Sequence, residues 1–475
     1  MNKKIGLGSG VAICVGLIVA TSCLVSLGTG VGSIGRWFII PMVVVVILNW
    51  FVALSFAELN GLMPNVEGGT GQYLLAGMGP LTSLIGNMSA YVITEILSLT
   101  AEITLCGTVL KQLFFPHVDG RIISLAVLVV FYLINLMGVD MFSKIQNLVV
   151  ILLIGSMVLI GLIGALHLGN AQNLVSYAAT APSFADIGGI GGICKMTALA
   201  FWLFIGVEFI IPVAKDMKNP KRDVLLSMTL GLVLLLGVQS LLSIGMTNYV
   251  TLDGLAADPD GMPHMTYAVH LLGTFGRYWM GIITILAGAS TVNTAYASVS
   301  KILQGMGEAG MVPKVFAKQN KKGAAWVGLT VLFMFIVALI LSNLGATQGV
   351  TFLLLSGSCF WLFTYGLIHL TVLILRKRYP DAERRKKLML GGIPQIIGIL
   401  GNIYMIWHID SGDARIKIFT LCGVLFAALV IYSVIWVCGV MKVRPFAPVS
   451  IEDINNNTLE FEEVERGYGY ELSKN

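Results

Sequence analysis

The chain reads as an all-α membrane protein of about twelve transmembrane helices, and two observations carry that expectation. Its 475 residues are 56% hydrophobic and only 12% charged, with a mean hydropathy of +0.85. A soluble domain is about a quarter charged, so this chain has a different solvent. Apolar runs of roughly 20 residues, each sufficient to cross about 30 Å of hydrocarbon, recur from end to end. The runs are continuous rather than alternating, which favours helices over a barrel, the only other fold that satisfies its backbone in lipid.

The spans are expected near 8–29, 37–58, 81–113, 121–138, 146–168, 190–213, 223–249, 276–299, 324–343, 350–375, 391–408 and 417–440. The opening Met1-Asn2-Lys3-Lys4 before an apolar run resembles a signal peptide. With no convincing cleavage site before Gly28 and further spans following, the run is read as the first helix. Alternate connections carry the cations: Lys144; Lys215, Lys218, Lys221 and Arg222; Lys301, Lys314, Lys318, Lys321 and Lys322; then Arg376 through Lys387. The opposite connections hold scattered ones such as Arg36, Arg121, Arg277 and Arg415. The positive-inside rule therefore places both termini in the cytoplasm. Position also accounts for the net charge of +5, so no nucleic-acid partner is expected.

The seven cysteines are scattered through apolar runs without a CxxC pair, which points away from a disulfide framework or zinc site. No cofactor and no metal are expected. The connection 250–275, with Asp253, Asp258 and Asp260, is the longest outer one, and the acidic segment 442–475 reads as a flexible cytoplasmic tail.

Most of the 54 glycines suit close helix packing. Two stretches differ. The first span runs through Ala20-Thr21-Ser22-Cys23 and Ser26-Leu27-Gly28-Thr29-Gly30, and the sixth through Trp202-Leu203-Phe204-Ile205-Gly206-Val207-Glu208. Interrupted helices in corresponding positions of two halves point to a transporter whose site lies near the midplane.

Three further stretches sharpen this reading: Ala57-Glu58-Leu59-Asn60-Gly61-Leu62-Met63-Pro64 with Glu67 to Tyr73, then Ala214 to Arg222, then Ser300 to Pro313. In order and spacing they resemble the cytoplasmic-loop signatures of the amino acid–polyamine–organocation permeases, over roughly residues 5–440. The resemblance implies the leucine-transporter type of fold: inverted five-helix repeats over about 8–168 and 190–375, with extra helices over 391–440. Helix 6 is most similar to that of arginine–agmatine antiporters. It implies that Trp202 packs on the substrate's apolar stem and that carbonyls from Trp202 to Ile205 accept from its ammonium. Glu208 then serves as a protonation site that couples the gates.

By the same resemblance Ala20, Thr21 and Ser22 in helix 1, Leu97 and Ala101 in helix 3, and Trp202, Ile205 and Gly206 in helix 6 line the substrate. Glu208 and Glu102 are the proton-coupling candidates. Where many relatives carry Gly-Ser-Gly, this chain has Ala20-Thr21-Ser22, so the closure of backbone amides on a carboxylate differs. The residues themselves leave plainer roles open: Glu208, Glu95 and Glu102 as structural hydrogen-bonding groups, Trp202 as packing, His369 as a structural histidine. Ser290, Thr291, Asn293 and Thr294 in helix 8 either offer oxygens to sodium or bond between helices.

The expected function is secondary transport of an amino acid or derived amine by alternating access, with proton coupling or exchange. An amine or polyamine carrier that does not recognise a carboxylate, and a non-transporting amino-acid sensor, are the alternatives. A channel lacks a filter-like repeat, an enzyme lacks a nucleophile–base or metal-ligand cluster, and an ATP-driven pump lacks a phosphate loop. The expected partners are the small-molecule substrate and membrane lipid, with a homodimer left open.

Overall fold

A computed structural model describes residues 5–66, 69–138, 146–258, 261–342, 349–383, 391–456, 458, 459 and 461–463. Lys144, Glu67, Gly68, Asp260, the basic residues 384–387, and Glu460, Glu465 and Glu471 lie outside the described residues. Among the described residues seven helical stretches are long and apolar enough to cross a membrane; of five shorter apolar helices, Leu7–Gly16 precedes them and the other four fall between them.

In chain order the helices are α1 (Leu7–Ile18), α2 (Thr21–Ile34), α3 (Ile39–Leu62), α4 (Thr70–Met78), α5 (Pro80–Asn87) and α6 (Thr94–Phe114). Then follow α7 (Gly120–Leu136), α8 (Gln146–Ala165), α9 (Tyr177–Thr180), α10 (Gly189–Lys195), α11 (Thr197–Phe201) and α12 (Pro220–Tyr249). The last are α13 (Leu252–Ala256), α14 (Pro263–Glu308), α15 (Trp326–Leu341), α16 (Val350–Arg378), α17 (Ile393–Trp407), α18 (Gly412–Val434) and α19 (Ile451–Asn456). A π-helical stretch, Met88–Ile93, joins α5 to α6.

Burial sorts the helices into centre and rim. The stretch Pro80–Phe114 is 83% buried in its most apolar window, whereas Gly412–Met441 is 17% buried. Rim helices turn large apolar side chains outward, among them Ile151 on α8, Leu400 and Ile403 on α17, and Val424 and Ile431 on α18. In water such faces would drive association; here they are the surface that meets lipid acyl chains.

Both interruptions expected in spans one and six are present. Helix 1 stops at Ile18, passes through extended Val19 and Ala20, and restarts as α2 at Thr21. Helix 6 stops at Phe201, and Gly206 at φ 105° turns the chain into a 3₁₀ segment, Val207–Asp216. That φ is accessible to glycine without a Cβ clash. Pro212 inside the segment lacks an N–H, which keeps it from a regular α-helix. With its broken helices 1 and 6 and its array of spans, the fold is of the leucine-transporter type.

Two expected segments differ. The outer connection 250–275 is largely helical: α13 and the first turns of α14 occupy it, with a break at Gly273 (φ 61°). Its Pro263 start signal sits in a polar stretch, so the hydropathy that marks the span begins only later. The tail also differs from the flexible segment expected. Over 443–456 it packs against the core, with Val443, Val449 and Ile454 buried. Val449 N donates to Leu75 O at 3.3 Å, Leu81 N to Pro445 O at 3.0 Å, and Asn455 Nδ2 to Leu62 O at 3.2 Å. Three spaced apolar side chains are enough to dock a segment whose average composition is acidic.

Candidate functional site

The restart of helix 1 leaves the first amides of α2 without intrahelical acceptors. No side chain of the N-cap residue Ala20 can supply one. The acceptor comes from α6. Glu102 Oε2 accepts from Thr21 N at 3.1 Å and Oε1 from Ser22 N at 3.0 Å. A carboxylate at a helix N-terminus also meets the positive end of its dipole. The Thr21 hydroxyl donates to Thr284 O of α14 at 2.9 Å. At Gly288 of α14 a Cβ would meet Cys106 Sγ at 2.3 Å and Thr21 Oγ1 at 3.0 Å, so glycine is what permits this approach.

Helix 6 closes over the same turn. Trp202 Nε1 donates to Ser22 Oγ at 2.8 Å, and Cys23 Sγ donates to Trp202 O at 3.5 Å. Of the carbonyls from Trp202 to Ile205, Phe204 O accepts from Asn49 Nδ2 of α3 at 3.0 Å. Leu203 O and Ile205 O have no protein partner among the described residues. The site therefore juxtaposes free carbonyls on helix 6 with capped amides on helix 1.

Glu208 lies just past the break, 2% exposed. Its Oε1 accepts from Trp361 Nε1 at 3.0 Å and its Oε2 from Tyr365 Oη at 2.6 Å, both on α16. Tyr365 Oη in turn accepts from Gly206 N at 3.3 Å, so the carboxylate and the left-handed glycine share one partner. Sequence reasoning did not name Trp361 or Tyr365. Their spacing of four on one helical face, opposite a buried glutamate, is the signal that was available. Asn49, a lone amide in an apolar span, was a second.

The remaining candidates fall as follows. Leu97 and Ala101 on α6 are buried in the main core, while Glu102 is the α6 side chain that bonds to the break. Glu95, one face-repeat earlier, accepts from Ser98 Oγ at 2.8 Å. His369 meets Ser55 Oγ at 2.9 Å through Nδ1, a structural contact. Asn293 on α14 accepts from Asn135 on α7 at 3.1 Å, so it bonds between helices. Glu58 pairs with Arg376 at the cytoplasmic end of α16, with Oε1 2.8 Å from Nε.

Two cavities flank this centre. One of about 210 Å³ is lined by Thr29, Ser33, Met196, Leu199 and Leu355. The other, of about 780 Å³, is lined by Gln72, Pro212, Lys301, Glu308 and Phe461. In helix 6 the first touches residues before the break and the second a residue after it. Trp202, Glu102 and Glu208 line neither of these two vestibules, one on the outer and one on the inner side of the break.

Among solved structures, a manganese transporter of Eremococcus coleocola in complex with an aromatic bis-isothiourea compound shares this fold. Its TM-score is 0.59 at 16% identity, covering 91% of this chain and 94% of that one. Among sequences, the branched-chain amino acid permease BcaP of Bacillus subtilis is 25% identical over 91% of this chain and 92% of its own length. The D-serine/D-alanine/glycine transporter of Escherichia coli K12 is 21% identical over 80% and 82%. The mouse b(0,+)-type amino acid transporter 1 is 23% identical over 91% and 88%. The amino acid permease family matches residues 5–441. The chain is thus a multi-pass transporter of the plasma membrane rather than an enzyme, and it belongs to the amino acid permease family.

Proposed function

We propose that the protein is a secondary carrier that moves an amino acid by alternating access, coupled to protons or to exchange. Its repeats, about 8–168 and 190–375, would rock around the paired breaks, with 391–440 as appended helices. The observation that carries this reading is the site's polarity. Unpartnered carbonyls at Leu203 and Ile205 suit an ammonium group, and the start of α2 suits a carboxylate. Trp202 supplies an apolar wall beside both. Ala20, Thr21, Ser22, Leu97, Ala101, Ile205 and Gly206 complete the proposed lining, and Glu208 and Glu102 are the proposed proton carriers. The relatives named above as amino acid permeases or transporters point to the same substrate class.

A specific observation favours one alternative, an amine carrier: Glu102 already holds the two amides a substrate carboxylate would need. Counterflow decides the class. Liposomes carrying the purified protein and loaded with one unlabelled amino acid should accumulate the labelled form transiently. A sensor would bind it without accumulation.

A further inference from the structure

The first turn of α2 offers Thr21 N and Ser22 N, and one internal carboxylate straddles both, at 3.1 Å and 3.0 Å. The next amide, Cys23 N, turns back to Ala20 O at 3.2 Å. Glu102 is 1% exposed and reaches the turn from α6, 80 residues away in sequence. The titratable groups around it are Glu95 and Cys106 on its own helix and Cys23 on α2. From α14 it meets Gly288, with Thr284 alongside. None of these is a cation.

We propose that Glu102 is the resident occupant of the substrate-carboxylate seat, and that an amino acid binds by displacing it from the Thr21 and Ser22 amides. This rests on the reading of the chain as an amino-acid carrier. Two carboxylates cannot both be ionised on the same pair of donors. Once off the amides, an ionised Glu102 would be a buried charge without the two backbone donors that hold it. The side chain therefore leaves as the neutral acid, taking one proton from the vestibule to which the site is open. One amino-acid zwitterion and one proton enter together. When the substrate departs, Glu102 gives up that proton and returns to the amides. An amine without a carboxylate leaves Glu102 in place, and its binding takes up no proton there.

Linkage sets the test. Binding that takes up one proton tightens about tenfold for each pH unit of acidification, as long as Glu102 is ionised in the empty carrier. Purified wild-type protein would be titrated calorimetrically with the twenty L-amino acids, D-alanine and the corresponding decarboxylated amines. Repeating the titration in buffers of different ionisation enthalpy gives the protons taken up. For the tightest amino acid we expect about one proton per molecule and the tenfold slope. Glu102→Gln keeps one acceptor oxygen but turns an N–H toward the second α2 amide, so it holds the seat less firmly and has no proton to take up. In that variant the slope and the proton uptake should vanish, with tighter binding than wild type at the alkaline end. If Glu102→Gln fails to fold, a wild-type count of zero still overturns the displacement, and a count of one is assigned by Glu208→Gln, which should keep it; loss of the uptake in Glu208→Gln would overturn the displacement. Amino-acid binding without proton uptake would overturn the displacement and leave the carrier reading standing. Retention of slope and uptake by Glu102→Gln would do the same. If wild type bound only amines and Glu102→Gln admitted amino acids, Glu102 would be a fixed stand-in, and displacement would be wrong. If no amino acid bound either protein, the amino-acid reading itself would fall.

Discussion

Glu208 ends two buried donors, and that makes the cost of removing it calculable. In Glu208→Ala, Trp361 Nε1 and Tyr365 Oη, both buried, lose acceptors at 3.0 Å and 2.6 Å. A stranded buried donor costs roughly 1–3 kcal/mol, so the pair amounts to about 2–6 kcal/mol before any cavity is counted. Glu208→Gln keeps the volume and one acceptor oxygen. The indole can donate only, so that oxygen must face Trp361. The amide then faces Tyr365, whose hydroxyl can turn to accept from it. The Gln variant should lose about 1 kcal/mol.

Chemical or thermal unfolding of the three proteins in one detergent measures the ordering: wild type, then Gln, then Ala well below. Uptake into liposomes supplies the second readout. Gln cannot titrate, so at saturating substrate, where the Glu102-linked affinity no longer limits the rate, the pH dependence of uptake between about pH 5 and pH 8 should flatten while exchange survives. Equal stability of Ala and Gln would refute the hydrogen-bond accounting. An unchanged pH profile in a Gln variant of normal rate would make Glu208 structural and leave Glu102 as the proton carrier.

Three other outcomes are expected. Trp202→Ala should weaken substrate binding by about 1–3 kcal/mol through lost apolar burial and cation–π contact; equal affinity in a folded variant would make Trp202 ordinary packing. An impermeant thiol reagent applied outside should modify Asp258→Cys and spare Lys318→Cys, each in a background lacking the exposed Cys438; the reverse would invert the topology. Deleting 443–475 removes the buried contacts of Val443, Val449 and Ile454, so the melting temperature should fall, by less per kcal/mol than in a small domain because the unfolding entropy grows with chain length. An unchanged temperature would mean that the docked tail contributes nothing to stability.

The spans were legible because hydropathy is a one-dimensional signal: each lipid-crossing run must be apolar by itself. The two breaks were legible for a local reason as well, since Gly206 and the polar Thr21-Ser22 pair are anomalous inside such runs. What sequence could not supply was which side chain meets which break. Glu95 and Glu102 are seven residues apart and so share one face of α6, but that spacing does not say that Glu102 is the one that reaches Thr21 and Ser22. The clamp of Glu208 by Trp361 and Tyr365 spans more than 150 residues, and no local pattern encodes such a distance. The docked tail and the helical start of α14 were hidden by averaging, because polar residues outnumber the few apolar ones that anchor them.

The two buried carboxylates divide the broken helices between them, and this division suggests how occupancy is converted into movement. Glu102 ties the outer half of helix 1, α2, to the continuous helix α6. Glu208 ties the inner half of helix 6 to the continuous helix α16. The inner halves are joined to each other: Ile5 N donates to Asp216 O and Lys218 N to Ile5 O, both at 2.9 Å, and Cys14 Sγ reaches Val207 O at 3.7 Å. The outer half of helix 1 is instead held to helix 6 across the break by Trp202 and Ser22. A change at Glu102 therefore acts on the outer half, and a change at Glu208 acts on the joined inner halves. Each carboxylate has one helix on which to act, because its other partner runs unbroken through the span. Substrate that releases Glu102 would loosen α2 from α6 while drawing Trp202 and the helix 6 carbonyls onto itself. Neutralising Glu208 would weaken the hold of α16 on the inner pair. The two steps would need no wire between them beyond the five residues of the helix 6 break, and either alone would bias the same two-state arrangement. A double variant tests this directly. If Glu102→Gln and Glu208→Gln act on one equilibrium, their effects on substrate affinity should depart from additivity by more than about 0.5 kcal/mol. Strict additivity would mean that the two halves of the gate are moved independently.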